Sequence, residues 1–295
     1  MRYQTAAALR AALEERLRQR AQTTGRSLSR LRKQVVFDRL LARLVQAAPG
    51  RWILKGAVAL DLRLPARSRA TKDMDVGRSD GEAHATADLL AATALELPDF
   101  FVFRSERARD LDEVPEGAAV RYRVRAELAG RLFEEVILDA GFSHGTLPPA
   151  DTVRSFDYLE FAGLPLVEVP VIPLVRHLAE KVHSYTRTYG EGRASTRVKG
   201  LVDLVLIAQF CPMRGADLRE AIDLTFGERS THPLPGRLPR PPRDWARSYA
   251  TMAKALDLPA ALDEAYAHAA RLMDPVLRSA GAGRWDPDRR QWTLE

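Results

Sequence analysis

Two runs near the start of the chain repeat apolar positions every three or four residues. They are AAALRAALEERLRQRAQ and LSRLRKQVVFDRLLARLVQAA, within residues 5 to 48. That period predicts a pair of helices, broken at Thr23-Thr24-Gly25, with Ser27 and Ser29 as candidate N-caps for the second. The pattern then shortens. WILKG predicts a short buried strand ending at Gly56, and AVALDLRL a helix beginning there. In ATKDMDV apolar and polar positions alternate, which predicts a strand with Met74 and Val76 on one face and Asp73 and Asp75 on the other. Residues 82 to 95 read as a helix, and FFVFRSE, AVRYRVRAEL and FEEVILDA as three strands. Helix, strand, helix, strand, helix and a strand series together predict an α+β mixed-sheet domain over residues 1–165.

From Ile172 onward the pattern turns helical: PLVRHLAEKVHSYTRTY, STRVKGLVDLVLIAQF and GADLREAIDLTFGER. HPLPGRLPRPPRDW reads as an extended crossing segment, because proline fixes φ and removes backbone donors. Helical patterns return at 244 to 256 and 259 to 279, before an irregular tail. A C-terminal helical domain over 166–295 is therefore expected, giving a two-lobed protein.

Composition narrows the classes. No apolar run approaches the roughly 18 residues of a membrane span, and the charged start lacks the apolar stretch of a signal peptide. The single Cys211 excludes an internal disulfide and a multi-cysteine zinc site, so a reducing cytoplasm is expected. A net charge of +6 and a pI near 9.6 lean toward polyanionic partners. Only 6 of the 45 basic residues are Lys, and four of these (Lys55, Lys72, Lys181 and Lys199) fall in the segments that carry the chemistry. The six histidines show no metal-ligand spacing, and neither a P-loop nor a kinase or nucleophile-elbow motif is present.

The candidate chemistry centres on Asp73 and Asp75. On one face of a strand they lie about 6–7 Å apart and repel unless a cation sits between them, for which a hard divalent ion is the natural partner. Gly56, at a strand-to-helix junction, lets a phosphate approach backbone N–H groups. Asp139 ends the apolar stretch of FEEVILD, where an acid must be paired or metal-bound. If that strand neighbours residues 72 to 76, three carboxylates converge, which suits two-metal nucleotidyl transfer. The plainer alternatives are a charged turn on an edge strand for the pair and a cap or turn residue for Asp139.

These residues resemble the nucleotidyltransferase-fold toxins of the AbiEii and MenT type, of type IV toxin–antitoxin systems. The matching elements are Lys55-Gly56-Ala57, then Arg69-x-Thr71-x-Asp73-x-Asp75, and Asp139 as third carboxylate. Glu180-Lys181, Arg197-x-Lys199-Gly200-Leu201-Val202-Asp203 and FGERSTHPLP follow, over roughly residues 50 to 250. The resemblance implies two Mg²⁺ ions on Asp73, Asp75 and Asp139, with Asp73, Asp75, Lys181 and Asp203 catalytic. It also implies a nucleoside triphosphate held by Lys55, Gly56, Ala57, Arg69, Thr71, Lys181, Arg197 and Arg229. The implied acceptor is RNA, most specifically the tRNA 3′ end, and an antitoxin protein is the implied partner. The chain departs from the family in having Gly56-Ala57 for the usual Gly-Gly or Gly-Ser. It also has Lys199-Gly200-Leu201 for Lys-Asp-Leu, which puts more weight on Asp203.

Read physically, Lys181 is either a point charge for a triphosphate or a lysine with its stem on an apolar surface. Asp203, inside LVDLVLI, needs a cation such as Lys181 or Arg197, whether for alignment or as a structural pair. Arg229 suits phosphate, base or a helix C-terminus. Arg237, Arg240, Arg243 and Arg247 form either an RNA-backbone rail or a solvated face. The expected function is nucleotide transfer to RNA in a site between the two lobes. The alternatives are transfer to a protein or small-molecule hydroxyl, and a non-catalytic nucleic-acid-binding module.

Overall fold

The computed structural model describes residues 1–65, 67, 69–108, 119–143, 149–189, 193–194, 198–278 and 283–293. The chain forms two compact units, the first comprising Met1–Arg63 with Ala70–Ile172 and the second Leu64–Arg69 with Pro173–Glu295.

In the first unit, α1 (Ala6–Thr24) starts where Thr5 accepts a hydrogen bond from the Ala8 N–H at 3.2 Å. It stops at Gly25, whose φ of 68° is the left-handed conformation that closes helices. Ser27, not Ser29, caps α2 (Leu28–Ala47) by accepting from the Arg30 N–H. The α1 stripe Leu9, Leu13 and Leu17 is buried, as is most of the middle of α2. Then come β1 (Ile53–Lys55), α3 (Gly56–Arg63), β2 (Asp73–Arg78), α4 (Glu82–Ala94), β3 (Phe101–Arg107), β4 (Ala119–Leu128) and β5 (Arg131–Phe142). β6 (Asp151–Arg154) and β7 (Glu168–Val171) complete a mixed sheet of order β3-β4-β5-β2-β1-β7-β6 among the described residues. β2 runs parallel to β5 and β1 to β7, and the remaining pairs are antiparallel. The strands β6 and β7 escape sequence patterning because each is four residues long, too short to show a period.

Helix α2 packs on β5 and α4, and its apolar side joins the inward residues of β2, β4 and β5 in one core. Within this core Arg43 of α2 forks onto Asp99 with two bonds of 2.8 Å and reaches the Phe101 carbonyl at 2.8 Å. Both side chains are fully buried. Removing either partner would strand a charge in the interior.

The second unit contains α5 (Leu174–Thr186), a small hairpin of β8 (Thr188–Tyr189) and β9 (Arg193–Ala194), and α6 (Val198–Phe210). β10 (Met213–Arg214), α7 (Gly215–Arg229), α8 (Trp245–Lys254), α9 (Leu262–Leu277), β11 (Arg284–Asp286) and β12 (Gln291–Thr293) follow. Every residue from Leu201 to Ala208 of α6 is buried, the mark of a helix surrounded by others. The proline-rich segment before α8 has no helix or strand. The Tyr185 and Tyr266 hydroxyls pin it by donating to the Pro239 and Leu238 carbonyls, each at 2.9 Å. The tail that reads as irregular contributes β11 and β12 to a three-stranded sheet with β10. Trp285 there is fully buried and donates to the Ala208 carbonyl at 2.7 Å. Strands of two or three residues leave no alternation to read, so an indole anchor rather than a period marks this sheet.

Candidate active site

The alternation in β2 places Met74 and Val76 in the core and Asp73 and Asp75 on the opposite face. Parallel pairing with β5 sets Asp75 directly beside Asp139. Antiparallel pairing with β1 sets Lys55 beside Asp75 on the other side, and β4 sets Arg121 beside Asp139. A single row across four strands therefore reads Arg121, Asp139, Asp75, Lys55. One pleat away, the Thr71 hydroxyl donates to the Asp73 carboxylate and, at 3.2 Å, to the Asp73 carbonyl.

Gly56 makes the junction of β1 and α3 possible. Its φ is 64°, and a Cβ there would overlap the Asp75 carboxylate, with Asp75 Cγ only 2.7 Å away. The backbone at the start of α3 thus lies against the acid itself. Left-handed φ costs a residue with a Cβ roughly 1–2 kcal/mol, and displacing Asp75 adds to it. Gly56→Ala is expected to lower the melting temperature by about 4–8 °C, using roughly 2–4 °C per kcal/mol for chains of this order. A variant melting with the parent in calorimetry would show that Asp75 is not held against this backbone.

Asp139 is not a free acid. Arg121 forks onto it, Nε to Oδ1 at 2.7 Å and Nη2 to Oδ2 at 2.8 Å. These hydrogen bonds push the guanidinium further above its ordinary pKa against the opposing effect of burial, and the charges of Asp73 and Asp75 add to the rise. Among the described residues no group of three or more His, Cys, Asp or Glu side chains is arranged to hold a metal ion. Asp73 and Asp75 nonetheless offer hard oxygen donors of the kind Mg²⁺ takes. Arg121 was not apparent as a site residue in the sequence, although the alternation of AVRYRVRAEL places it on one face with Arg123 and Arg125.

In the second unit, Asp203 of α6 is fully buried. Lys181 Nζ of α5 lies 2.9 Å from its Oδ2, and Arg69 binds through Nε at 2.9 Å and Nη2 at 3.1 Å. Burial would raise the Asp203 pKa, but Lys181 and then Arg69 outweigh it and hold the carboxyl at about 2. The sequence offers Lys181 or Arg197 as its partner. Lys181 is one and Arg69 is the other, while Arg197 lies outside the described residues. Next to Lys181, Glu180 meets Arg229 at 3.4 Å. Arg237, Arg240, Arg243 and Arg247 are all exposed, with Arg240 pairing with Asp263 at 3.5 Å and stacking over Tyr266.

Residues 39–277 match the family model of the nucleotidyl transferase AbiEii toxin, Type IV TA system. The chain belongs to this family. Membership makes it a nucleotidyltransferase and a toxin, and implies a nucleoside triphosphate substrate and an antitoxin partner. The matched span holds every site residue named above, leaving α1, the first half of α2, β11 and β12 outside it. No curated protein matches the chain. Among solved structures, MenT4, a nucleotidyltransferase toxin from Mycobacterium tuberculosis H37Rv, is 19% identical with a TM-score of 0.54. It covers 94% of this chain and 99% of its own. JHP933 from Helicobacter pylori is 15% identical at a TM-score of 0.45, covering 84% and 92%. A nucleotidyltransferase from H. pylori, described as putative, is 15% identical at 0.44, covering 84% and 95%. The MenT4 likeness is one of fold.

The two departures from the family pattern have different settings. Ala57 is buried, and as an alanine it offers no side-chain hydroxyl, only its backbone N–H. A Cβ at Gly200 would meet nothing within 4 Å, so packing does not demand glycine there. Among the described residues, no helix is long and apolar enough to cross a membrane.

Proposed function

We propose that this toxin transfers nucleotides from a nucleoside triphosphate to the 3′ end of tRNA in a Mg²⁺-dependent reaction, and so blocks translation. The observation that carries the reading is the row Arg121, Asp139, Asp75, Lys55, with Asp75 set against the left-handed Gly56 at the start of α3. A face that crowds acids against a helix N-terminus suits a metal-bound phosphate better than a bare nucleic-acid backbone, which clustered negative charge would repel.

Asp73 and Asp75 would hold the ion. Bound there, a divalent metal lowers the pKa of an attacking hydroxyl and offsets charge growing on the phosphates. The amides at Gly56 and Ala57 would donate to phosphate oxygens, and Lys181 and Arg69, fixed by Asp203, supply cationic charge. Lys55, Thr71, Arg197 and Arg229 are assigned to the nucleotide by the resemblance of the motifs that hold them. The acceptor 3′-hydroxyl, losing its proton, would bond to the α-phosphorus as pyrophosphate leaves. Arg237, Arg240, Arg243 and Arg247 are assigned to the RNA backbone, where each phosphate contact would steepen the salt dependence of binding.

Incubation with each radiolabelled nucleoside triphosphate, Mg²⁺ and total RNA tests this. Label in the tRNA band, which fails to form when EDTA is present during the reaction, is the expected result. Label on protein or on small molecules would move the acceptor to another hydroxyl, and no label in any fraction would remove the catalytic reading.

A further inference from the structure

The sheet that gathers three acids on one face also supplies a cation to one of them. Arg121 is the direct register partner of Asp139, so the antiparallel ladder of β4 and β5 sets their spacing. Both carboxylate oxygens are engaged in a forked pair, a geometry stronger than a single-point contact. The pair is also shielded, with side-chain exposures of 20% for Arg121 and 11% for Asp139, so water screens it less than it would a surface pair. A guanidinium cannot yield its place by losing a proton.

We propose that Arg121 is a built-in cation of this site, holding Asp139 out of the ligand set so that the face takes one divalent ion, on Asp73 and Asp75, rather than two. The inference rests on the metal-binding reading above. The row then has an internal logic: the adjacent acids Asp139 and Asp75 are flanked by Arg121 at one end and Lys55 at the other. Ligation by Asp139 would have to use the remaining lone pairs of oxygens already bound to Arg121, and would bring a doubly charged ion close to the guanidinium, where like charges repel. Arg121 is therefore a positioning residue for the acid beside it and a fixed charge for the site.

Mn²⁺ binding by electron paramagnetic resonance and calorimetry tests this without any turnover. The parent is expected to bind one Mn²⁺ per chain, and Asp139→Asn still to bind one, no more tightly than the parent, because the guanidinium is then uncompensated. Arg121→Gln frees Asp139 and should bind a second Mn²⁺, or bind the first about 10- to 100-fold more tightly, the range that partners of metal ligands command. The double variant Arg121→Gln/Asp139→Asn leaves no charge unpaired and should return to the parent's binding, a reversal that a merely structural ion pair would not produce. Two Mn²⁺ in the parent, falling to one in Asp139→Asn, would overturn the proposal. So would an Arg121→Gln protein, folded by circular dichroism, whose binding matches the parent. Asp75→Asn separates the two failures: if it binds Mn²⁺ as the parent does, or if the parent binds none, the metal site itself is misplaced and both readings fall.

Discussion

Asp75→Ala should abolish nucleotide transfer while leaving the protein folded. The side chain lies between Lys55 and Asp139 in the register of the sheet, on the face away from the core. Its loss removes a proposed metal ligand and the group packed against Gly56, but no apolar packing. A lost ligand is worth several kcal/mol of transition-state stabilisation. At 1.36 kcal/mol per tenfold, about 4 kcal/mol is roughly a thousandfold in rate. Removing one carboxylate from beside another also relieves repulsion, so the melting temperature should stay within about 4 °C of the parent, equivalent to roughly 1–2 kcal/mol. Transfer assayed with labelled nucleotide and RNA, beside a thermal melt, decides the matter. A folded variant with near-parental, still Mg²⁺-dependent transfer would remove Asp75 from the site.

How much of this was legible in advance depends on the length of the pattern. Helices α1 and α2 announce themselves through four or more turns of apolar period, and β2 through the alternation of Met74 and Val76 with Asp73 and Asp75. Strand neighbours are another matter. Nothing local in FEEVILD says that β5 runs parallel to β2, and only that pairing brings Asp139 level with Asp75. Arg121 was invisible for the same reason, because its meaning comes from a register partner on another strand. Asp203 illustrates a partial success. An acid inside LVDLVLI must find a cation, and Lys181 was nameable from its place on an amphipathic helix. Arg69 was not nameable as the second partner, because it reaches α6 across a gap of 134 residues in sequence. The short strands β6, β7, β10, β11 and β12 carry too few residues for any period to emerge.

Asp203→Asn should cost both activity and stability, and a second substitution separates the two. Asp203 is fully buried and holds Lys181 and Arg69 together. Asn keeps the shape but removes the charge, leaving two largely shielded cations without their counter-ion. Breaking a buried pair in this way costs about 3–5 kcal/mol, so a fall of about 6–20 °C in melting temperature is expected. The pH dependence gives an independent check. The folded-state pKa of about 2 lies below the ordinary value of 3.8, so the ionised carboxylate contributes stability above about pH 4. That contribution is lost as the pH falls through 2, and the parent's advantage over the variant should shrink across this window. If Asp203 positions Lys181 for the phosphates, the variant should also lose about 100-fold in kcat/KM for the nucleotide, about 2.7 kcal/mol. Adding Asp203→Asn to Lys181→Ala should then cost less activity than Asp203→Asn costs alone, since only Arg69 is left for it to position, a non-additivity expected of residues acting as a unit. Activity per folded molecule close to parental in Asp203→Asn, with effects that simply add in the double variant, would make Asp203 a structural ion-pair partner. The acids of the sheet face would then carry the chemistry without it.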